Sequence, residues 1–585
     1  MKELMLGNKA FARGLYEAGC TFASSYPGTP STEITEEAAK YDEIYCEWAP
    51  NEKVAMEAAF GASLAGKRAF CGMKHVGLNV AADPLYTMSY TGVRGGLVVG
   101  VADDPGMHSS QNEQDTRHHA IASKVPVLEP SNSQETLEFV KIAFDISERF
   151  DTPVIVKMCT RISHSQSVVE TGEREERETI PYVKDPAKYV MVPANAKIRH
   201  PFVEERVKKL SDWGNTSGIN RIEKGTDAES RRGFITGSTS YQYIKEVFGD
   251  SVSILKLGMS YPFPDELIKE FAKDLDDITV VEEMDPIVEE HCKSLGINVH
   301  GKDILPIVGE YSQNLIAKVL AGQDIDEDSK IDFETPVRPP IMCPGCPHRG
   351  IFYTLKKNKC IVIGDIGCYT LAAAEPLAAM DMTLCMGASV SATHGFLKAL
   401  GKDAPKNVVG VIGDSTFIHS GMTGLAEIAY NQSNATIIIL DNSTTGMTGQ
   451  QENPTTGYDI KGDPAGKIDL EALVKAMGIR RVRVVDPLDL KACNAVVKEE
   501  LAAEEPSVII TRRPCVLLKS VKKLPPLRVN PDKCTGCSAC MKIGCPALAM
   551  KDGKVVVDEM LCVGSGCDLC VQMCGFGAFE HPGEE

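Results

Sequence analysis

The amino-acid sequence predicts an α/β protein of parallel sheets covered by helices, followed by a small cysteine-rich domain. Short apolar runs alternate with Gly/Ala-rich amphipathic segments along most of the chain, which is typical of parallel strands joined by helices. Eight of the 20 cysteines lie between Cys534 and Cys574. A length of 585 residues is enough for roughly three to five domains of about 100 to 200 residues.

The alternating pattern is interrupted at several points, and these interruptions predict the domain organisation. We expect modules at 1–182, 233–325, 341–520 and 521–585, joined by a charged connector at 183–232 and a Pro-rich linker at 326–340. The connector shows helical spacing over 202–210. The runs that predict strands are 96–102, 153–158, 234–236, 253–257, 278–281, 360–363, 408–412, 436–440 and 508–511.

Composition and charge exclude several functional classes. The formal net charge is −18, and an acidic surface repels phosphate backbones, which argues against nucleic acid as a partner. No apolar run approaches the roughly 20 residues that span a bilayer. Lys9, Arg13 and Glu17 stand where a signal peptide would be apolar. We therefore expect a cytoplasmic protein that does not enter a membrane.

The tail carries two groups of four cysteines. In a reducing compartment such clustering indicates metal rather than disulfides. Three thiolates on one tight loop, with a fourth from another loop, are the ligands that surround a cubane iron–sulfur cluster. The first group is Cys534, Cys537, Cys540 and Cys545, and the second is Cys562, Cys567, Cys570 and Cys574.

This spacing resembles that of a bacterial two-cluster ferredoxin, with two differences. Four residues rather than three separate Cys540 from Cys545, and four rather than two separate Cys562 from Cys567. The resemblance implies that the fourth ligand is exchanged between the groups. One [4Fe-4S] cluster would then be held by Cys534, Cys537, Cys540 and Cys574, and the other by Cys562, Cys567, Cys570 and Cys545. The alternative is a pair of zinc knuckles, which need four ligands for each ion.

Two apolar runs of the third module end in oxygen-bearing side chains. Gly413-Asp414-Ser415 follow one run and Asp441-Asn442 follow the next. The carboxyl ends of parallel strands lie at one sheet edge, where ligands usually bind. The spacing resembles the thiamine diphosphate motif Gly-Asp-Gly with a distal Asn-Asn, with serine replacing the last glycine and aspartate replacing the first asparagine.

Mg²⁺ prefers oxygen ligands, and we expect it to be bound by the Asp414 and Asn442 side chains with the Thr444 carbonyl. Upstream, residues 386–389 open a small-residue helix whose bare N–H groups and dipole could accept a diphosphate. The residues expected to bind the cofactor are Gly387, Ala388, Ser389, Gly413, Asp414, Ser415, Asn442 and Thr444.

Thiamine enzymes need a second domain that supplies a carboxylate to the aminopyrimidine ring, where it assists proton removal from the thiazolium carbon. Our candidate is Glu52, although the same residue could be an ordinary first-turn acid after an Asn51 cap. Thr29 is expected to cap a helix with Pro30 at its first position, presenting its hydroxyl near the substrate carbonyl. His75 could contact substrate or cofactor, or be a structural histidine.

The segment 25–32 followed by Glu52 resembles the pyrimidine-binding domain of 2-oxoacid:ferredoxin oxidoreductases. Within that family, further motifs resemble the alpha subunits of the indolepyruvate type. These motifs lie at 343–349, 364–369, 413–417 and 441–449, fused to the cysteine-rich tail. The resemblance implies the domain order of pyrimidine domain, transketolase C-terminal-like domain, diphosphate domain and ferredoxin-like domain.

The resemblance also implies an activity. An aryl 2-oxoacid such as indolepyruvate or phenylpyruvate would be decarboxylated, electrons would pass through iron–sulfur clusters to ferredoxin, and coenzyme A would release an arylacetyl thioester. The family needs a small beta subunit of the gamma-domain type, so we expect a hetero-oligomer. Two alternatives remain: another 2-oxoacid, such as pyruvate or 2-oxoglutarate, or a non-catalytic electron-transfer protein with a vestigial thiamine fold.

Four further cysteines predict a third [4Fe-4S] cluster beside the thiamine site. They follow strand ends or lie in a Cys-X-X-Cys motif, and loops after parallel strands gather at one edge. They also match the proximal cluster cysteines of other 2-oxoacid:ferredoxin oxidoreductases. The alternative is that they are merely small, buried side chains. The four are Cys343, Cys346, Cys368 and Cys515.

Overall fold

The computed structural model describes residues 1–227, 229–325, 336 and 338–582. The chain forms two compact units, Met1–Phe333 and Glu334–Glu585. Most of the linker predicted at 326–340 lies outside the described residues. Among the residues described, no helix is both long and apolar enough to cross a membrane.

The first unit contains a seven-stranded sheet, parallel except for one edge strand. Every residue of its central strand Leu97–Asp103 is buried, because helices cover both faces. This burial explains why the strand was recognisable as a continuous apolar run. In spatial order the strands are Met259–Tyr261, Val127–Leu128, Val154–Cys159, Leu97–Asp103, Ala69–Lys74, Phe22–Ser25 and Tyr45–Trp48.

A four-stranded sheet follows in the same unit. Its strands, in spatial order, are Asp277–Val281, Arg232–Gly237, Ser253–Leu257 and Arg221–Glu223, the last antiparallel. A two-stranded antiparallel pair joins Lys2–Leu6 to Gln166–Glu170. The predicted connector contains the helix Pro193–Thr216, which includes the expected helical spacing. Its Arg199 donates to the Tyr90 carbonyl, so this helix packs on the parallel-sheet domain.

The helices of the first unit mostly follow strands, as the alternating pattern predicts. They are Gly7–Glu17, Thr32–Ala38, Glu52–Leu64, His75–Val80, Ala82–Thr91, Thr116–Ser123, Ser133–Phe150, Thr160–His164, Pro186–Tyr189, Pro193–Thr216, Ser238–Phe248, Asp265–Ala272, Ile287–Ser294 and Gln313–Leu320.

The second unit is built on a five-stranded, fully parallel sheet, ordered Ile361–Ile363, Val408–Gly413, Thr436–Asp441, Ser507–Arg512 and Arg481–Val485. The two strands that precede the predicted Mg²⁺ ligands are neighbours in the middle of this sheet. The principal α-helices are His348–Lys357, Ala388–Leu400, Met422–Asn431, Leu470–Ala476 and Leu490–Leu501.

The cysteine-rich tail is a small compact part of the second unit. It contains two short antiparallel pairs, Arg528–Val529 with Phe579–Glu580 and Leu548–Lys551 with Lys554–Val557. One short helix, Leu569–Met573, lies near its end. Its buried apolar residues and cysteines pack together with Leu488 of the α/β domain, so the tail core is continuous with that domain.

Candidate functional site

Glu52 lies at the start of the helix Glu52–Leu64 in the first unit. The Asn51 side chain accepts a hydrogen bond from the Val54 N–H at 2.9 Å, which fixes this helix end. The Glu52 side chain is 5% exposed. It packs against Gly77, where an added Cβ would lie 2.7 Å from the Glu52 carboxylate. Only a glycine at 77 leaves room for the carboxylate in this position.

Thr29 lies in the loop after strand Phe22–Ser25, but it does not cap a helix. The helix begins at Thr32, with Ser31 as its N-cap residue. Both the N–H and the hydroxyl of Ser31 donate to the Gly28 carbonyl at 2.8 Å. Because these bonds make a turn across Thr29 and Pro30, the helix starts later than the sequence predicted. The capping role assigned to Thr29 is therefore wrong.

His75 is the first residue of the short helix after strand Ala69–Lys74 and is almost fully buried. Its ring faces the backbone of Ala102 and Asn112, yet neither ring nitrogen makes a hydrogen bond of ordinary geometry. Burial, together with the neighbouring Lys74 charge, lowers the His75 pKa to about 4. The imidazole is therefore neutral at pH 7, and its role stays a prediction.

Three oxygen-bearing groups converge in the second unit. The Asn442 side-chain amide has one terminal atom 2.8 Å from the Thr444 carbonyl oxygen and 3.1 Å from Asp414 Oδ1. If this atom is nitrogen, it donates to both oxygens. If it is oxygen, its separations from the other two oxygens are close to the edge of about 2.9 Å expected in an octahedral Mg²⁺ site with bonds of about 2.0 to 2.1 Å. The residues present therefore fit Mg²⁺.

The second orientation of the Asn442 amide also satisfies its nitrogen. Asn442 Nδ2 then lies 3.5 Å from Nε2 of His348, a fully buried ring. Burial lowers the His348 pKa to about 4, so this ring is neutral and one of its nitrogens can accept a hydrogen bond. A cation would thus select the orientation in which the oxygen faces the site and the nitrogen faces His348.

Asp414 is the anionic member of this group. It accepts from the Ser415 N–H at 2.8 Å and from the Ser443 N–H at 3.0 Å. Burial and the neighbouring Asp441 carboxylate nevertheless raise its pKa to about 7. Asp441 itself pairs with Arg512 at 2.8 Å, which explains why an aspartate is tolerated where the motif usually has asparagine. Among the described residues no cation pairs with Asp414, and a buried carboxylate of this kind is a typical cation ligand.

The N–H groups predicted to be bare at the start of helix Ala388–Leu400 are already occupied. Those of Gly387 and Ser389 both donate at 2.9 Å to the carboxylate of Asp365, and that of Ala388 donates to the Cys385 carbonyl at 3.0 Å. The prediction of bare N–H groups is wrong, because Asp365 caps this helix end. The buried Ser389 hydroxyl faces the same Asp365 carboxylate, but within the described part of the chain it makes no hydrogen bond of ordinary geometry.

Four cysteines from distant parts of the sequence meet near this site. Burial and the neighbouring Cys515 and Cys343 thiols raise the pKa of Cys368. Burial and the same two thiols also raise the pKa of Cys346. The Cys515 N–H donates to the Asn442 carbonyl at 2.9 Å. The structure therefore brings together the four cysteines of the expected proximal cluster directly beside a predicted Mg²⁺ ligand.

The tail cysteines also form two groups. One group of four lines a single cavity, where burial and three neighbouring thiols raise the pKa of Cys540. In the second group, burial and the neighbouring thiols raise the pKa of Cys570. The Cys540 thiol also raises the pKa of Cys570, so the two sets are adjacent. The cavity cysteines are Cys534, Cys537, Cys540 and Cys574, and those around Cys570 are Cys545, Cys562 and Cys567.

These groups follow the exchange of fourth ligands that the ferredoxin resemblance implies, with Cys574 in the first set and Cys545 in the second. Within the described part of the chain, no three His, Cys, Asp or Glu side chains converge closely enough to hold a single metal ion. The zinc-knuckle alternative stays a prediction alongside the iron–sulfur assignment. The identity of the clusters stays a prediction.

Sequence reasoning missed three residues around these sites. Asp365 lies in the Gly-Asp-Ile-Gly segment, and its role as a helix cap could not be inferred because helix and carboxylate are far apart in sequence. His348 lies in the motif at 343–349, but its spacing gave no signal of a contact with Asn442. Tyr369, whose hydroxyl accepts from the Gly413 N–H at 3.1 Å, supports the strand end from a neighbouring loop.

Two family models match the chain. The model described as "Pyruvate flavodoxin/ferredoxin oxidoreductase, thiamine diP-bdg" matches residues 13–222. The model described as "Thiamine pyrophosphate enzyme, C-terminal TPP binding domain" matches residues 365–511. These matches, with the parallel sheets observed, confirm the predicted α/β fold with thiamine-diphosphate-binding domains. The two-cluster ferredoxin-like assignment of the tail stays a prediction.

Curated relatives resemble the whole chain. It is 42% identical to indolepyruvate oxidoreductase subunit IorA of Pyrococcus horikoshii, covering 99% of this chain and 97% of that protein. It is 40% identical to the subunit of the same name from Methanothermobacter marburgensis, with the same coverage. It is 26% identical to 2-oxoglutarate synthase subunit KorA of Archaeoglobus fulgidus, covering 52% of this chain and 96% of that protein.

Proposed function

Because this chain belongs to the family of IorA subunits of indolepyruvate oxidoreductase, we propose that it holds the thiamine diphosphate, the Mg²⁺ and the iron–sulfur clusters of such an enzyme. The chain is an oxidoreductase subunit for 2-oxoacids of the indolepyruvate type. Full-length similarity favours this substrate over pyruvate or 2-oxoglutarate, since the 2-oxoglutarate synthase subunit aligns with only 52% of the chain.

The proposed reaction is oxidative decarboxylation of an aryl 2-oxoacid to CO₂ and an arylacetyl thioester of coenzyme A. Two electrons leave through the clusters to ferredoxin. Bound thiamine diphosphate would supply the nucleophilic carbon and the electron sink that decarboxylation requires. The contribution of this chain is then to bind and orient the cofactor, move one proton and accept electrons.

One observation carries the proposal most directly. The Asp414 and Asn442 side chains and the Thr444 carbonyl would supply oxygen ligands to Mg²⁺, and the Asn442 carbonyl accepts a hydrogen bond from the Cys515 N–H. A cation-binding loop that hydrogen bonds to a cysteine cluster is what a thiamine-dependent oxidoreductase needs. The buried Ser389 hydroxyl would help bind the diphosphate, with Gly413 and Ser415 at the strand end.

Glu52 would act as the carboxylate partner of the aminopyrimidine ring. Its side chain is buried, packed against Gly77, and held at a helix start fixed by the Asn51 cap. A fixed carboxylate in a buried place gives a directional hydrogen bond to a ring nitrogen. Thr29 and His75 remain candidate contacts of substrate or cofactor in the same unit.

The three cysteine sets suggest a route for electrons within the second unit. The set of Cys343, Cys346, Cys368 and Cys515 lies beside the Mg²⁺ loop. The backbone of Gly345, which lies between Cys343 and Cys346, hydrogen bonds to the Cys545 thiol. The set containing Cys545 would thus be the next carrier, and the set containing Cys537, an exposed residue, would be the outermost.

The relatives are named as subunits, which agrees with a multi-subunit enzyme. We propose a small beta subunit of the gamma-domain type as the partner chain, ferredoxin as the external electron acceptor and coenzyme A as co-substrate. The competing hypothesis of a non-catalytic electron-transfer protein predicts clusters that can be reduced without any dependence on a 2-oxoacid.

The deciding experiment is indolepyruvate-dependent reduction of a viologen by the complex with its small partner subunit, with and without coenzyme A. We expect reduction that requires the 2-oxoacid and is faster with coenzyme A. Phenylpyruvate, pyruvate and 2-oxoglutarate, tested in parallel, measure the preference. Cluster reduction without any 2-oxoacid-dependent turnover would instead support the non-catalytic hypothesis.

A further inference from the structure

Lys74 is a buried cation at the carboxyl edge of the seven-stranded sheet. It is the last residue of strand Ala69–Lys74 and only 8% exposed. Its ammonium donates to the Ser109 carbonyl at 2.7 Å and to the Ser109 hydroxyl at 3.3 Å. Among the described residues, no carboxylate lies within ion-pair distance of it.

Most other buried cations of this unit have an acidic partner. Lys157 pairs with Glu129 at 2.8 Å, and Lys256 pairs with Glu135 at 2.6 Å. Arg206 bonds only neutral groups, but it lies on the helix Pro193–Thr216, away from the carboxyl edge. Burying an ammonium without a counter-charge costs free energy. A buried ammonium at a sheet edge where ligands bind is therefore a candidate to bind an anionic ligand.

No described group around Lys74 forms a direct ion pair with its ammonium, although Asp104 is a nearby counter-charge. Burial outweighs the attraction of Asp104 and lowers the Lys74 pKa to about 8. The Asp104 carboxylate accepts from the hydroxyls of Ser110 and Thr160 at 2.6 and 2.7 Å, which satisfy it separately. The adjacent His75 is neutral, with a pKa lowered by burial to about 4. The Asp104 pKa is lowered to about 2, so this carboxylate is ionised, but it reaches the Lys74 ammonium only through Ser109 and does not pair with it directly.

This charge lies among the residues expected to contact the reacting groups. An added Cβ on Gly28 would lie 3.0 Å from Lys74 Cβ, so the loop that holds Thr29 packs directly against Lys74. The Ser109 hydroxyl, which accepts from Lys74, also lies 3.5 Å from the Thr29 carbonyl. Gly77, which packs against Glu52, belongs to the helix that begins directly after Lys74.

We propose that the Lys74 ammonium binds the carboxylate of the 2-oxoacid substrate. The inference rests on the proposed function, because it requires an anionic substrate at this edge of the first unit. An arylpyruvate has one carboxylate next to the carbonyl that must meet Thr29 and Glu52, and Lys74 supplies the matching charge. The exchange of a Ser109 contact for a carboxylate would give the ammonium an anionic partner in a buried environment.

The carboxylate leaves as neutral CO₂, and this predicts how the residue affects the kinetics. The ion pair exists in the substrate complex and weakens as the charge disappears. Lys74 should therefore lower KM more than it raises kcat. A residue that merely held the Ser109 loop in place would change the affinity for other ligands and the stability as well.

The test compares Lys74→Met and Lys74→Arg with the wild-type complex, including the small subunit. For Lys74→Met we expect the KM for indolepyruvate to rise about 10- to 100-fold, as for a lost charged hydrogen bond, with kcat within about threefold. The KM for coenzyme A, the thiamine diphosphate content and the melting temperature should stay unchanged. Lys40→Met is the matched control, because Lys40 is an exposed lysine that pairs with Glu37.

The pH profile provides a second readout that does not depend on the folding of Lys74→Met. Because only the charged amine binds a carboxylate, wild-type kcat/KM should fall as pH rises through about 8. Lys74→Arg should move this limb upward by more than one pH unit, because arginine stays charged. Two outcomes would overturn the Lys74 proposal alone, provided that the wild-type complex turns over indolepyruvate. One is an unchanged KM in Lys74→Met, and the other is a fall of kcat/KM at the same pH in Lys74→Arg as in the wild type. A wild-type complex that does not use indolepyruvate would overturn the proposed function and this inference with it.

Discussion

Arg349 hydrogen bonds to the carbonyl oxygen of Ile543, which joins the thiamine domain to the cysteine-rich tail. Arg349 Nη1 donates to Ile543 O at 3.0 Å and to Gly544 O at 2.5 Å. Nη2 donates to the carbonyls of Met342 and Cys343 at 2.6 and 3.1 Å. One buried guanidinium therefore holds the loop before a proximal-set cysteine and the loop before Cys545 at a fixed separation.

The first prediction follows from this relationship. Arg349→Met should loosen the tail, because four carbonyl oxygens lose a charged donor and local opening becomes easier by about 3 kcal/mol. Proteolysis within 521–582 should accelerate on the order of 100-fold when opening is at equilibrium. Limited proteolysis followed by mass spectrometry measures the rate. Arg528→Met, which removes a cation that is 69% exposed, is the control and should have no effect. Equal rates in both variants would contradict the role of Arg349.

The sequence was most informative where burial is complete. The runs over 408–412 and 436–440 were recognisable as strands because both faces of the parallel sheet are covered. The cysteine sets were predictable because few arrangements satisfy a cubane cluster. The roles of Arg349, Asp365 and Lys74 were not predictable from local pattern. Each depends on one side chain meeting backbone or loop groups that are remote in sequence, and periodicity carries no signal for such contacts.

The start of the helix Ala388–Leu400 illustrates this limit. Its glycine and small residues predicted N–H groups free to accept a diphosphate, and this was wrong because these groups already bind a carboxylate. The carboxylate is that of Asp365 from the same chain. Likewise, Pro30 suggested a helix start, but the turn closed by Ser31 on Gly28 delays the helix to Thr32.

The second prediction concerns the Mg²⁺ site. Asp414→Ala should abolish binding of thiamine diphosphate, because the only carboxylate among the three converging oxygen groups is lost. Cofactor content after denaturation, measured by fluorescence of the oxidised thiamine, gives the stoichiometry. Asp403→Ala, on an exposed turn of the same unit, is the control. Stoichiometric cofactor with normal turnover in Asp414→Ala would rule out this Mg²⁺ assignment.

The third prediction concerns Glu52. Glu52→Gln keeps the shape of the side chain beside Gly77, so the protein should fold and bind cofactor normally. Proton exchange at the thiazolium carbon should slow by about 10²- to 10⁴-fold, the range typical of general acid–base groups. Exchange into deuterated solvent, quenched in acid and read by NMR, measures this rate. An unchanged rate would show that another group removes the proton.

The last prediction tests the third cluster in the full chain. Cys368 lies near the thiols of Cys515 and Cys343 and next to Gly446, whose added Cβ would lie 3.4 Å from Cys368 Sγ. Three [4Fe-4S] clusters give about 12 irons per chain, and Cys368→Ser should lower this to about eight while thiamine diphosphate content is retained. Indolepyruvate-dependent reduction of the remaining clusters should slow strongly, because electron donor and tail lose the carrier between them.

Cys493→Ser is the matched control, since Cys493 is a buried thiol that donates to the Asp486 carbonyl and belongs to no set. Iron analysis with EPR of the reduced protein reads both variants. If Cys368→Ser keeps the wild-type iron content and EPR spectrum, these four cysteines are ordinary buried thiols, and electrons must pass from the thiamine site to the tail without them.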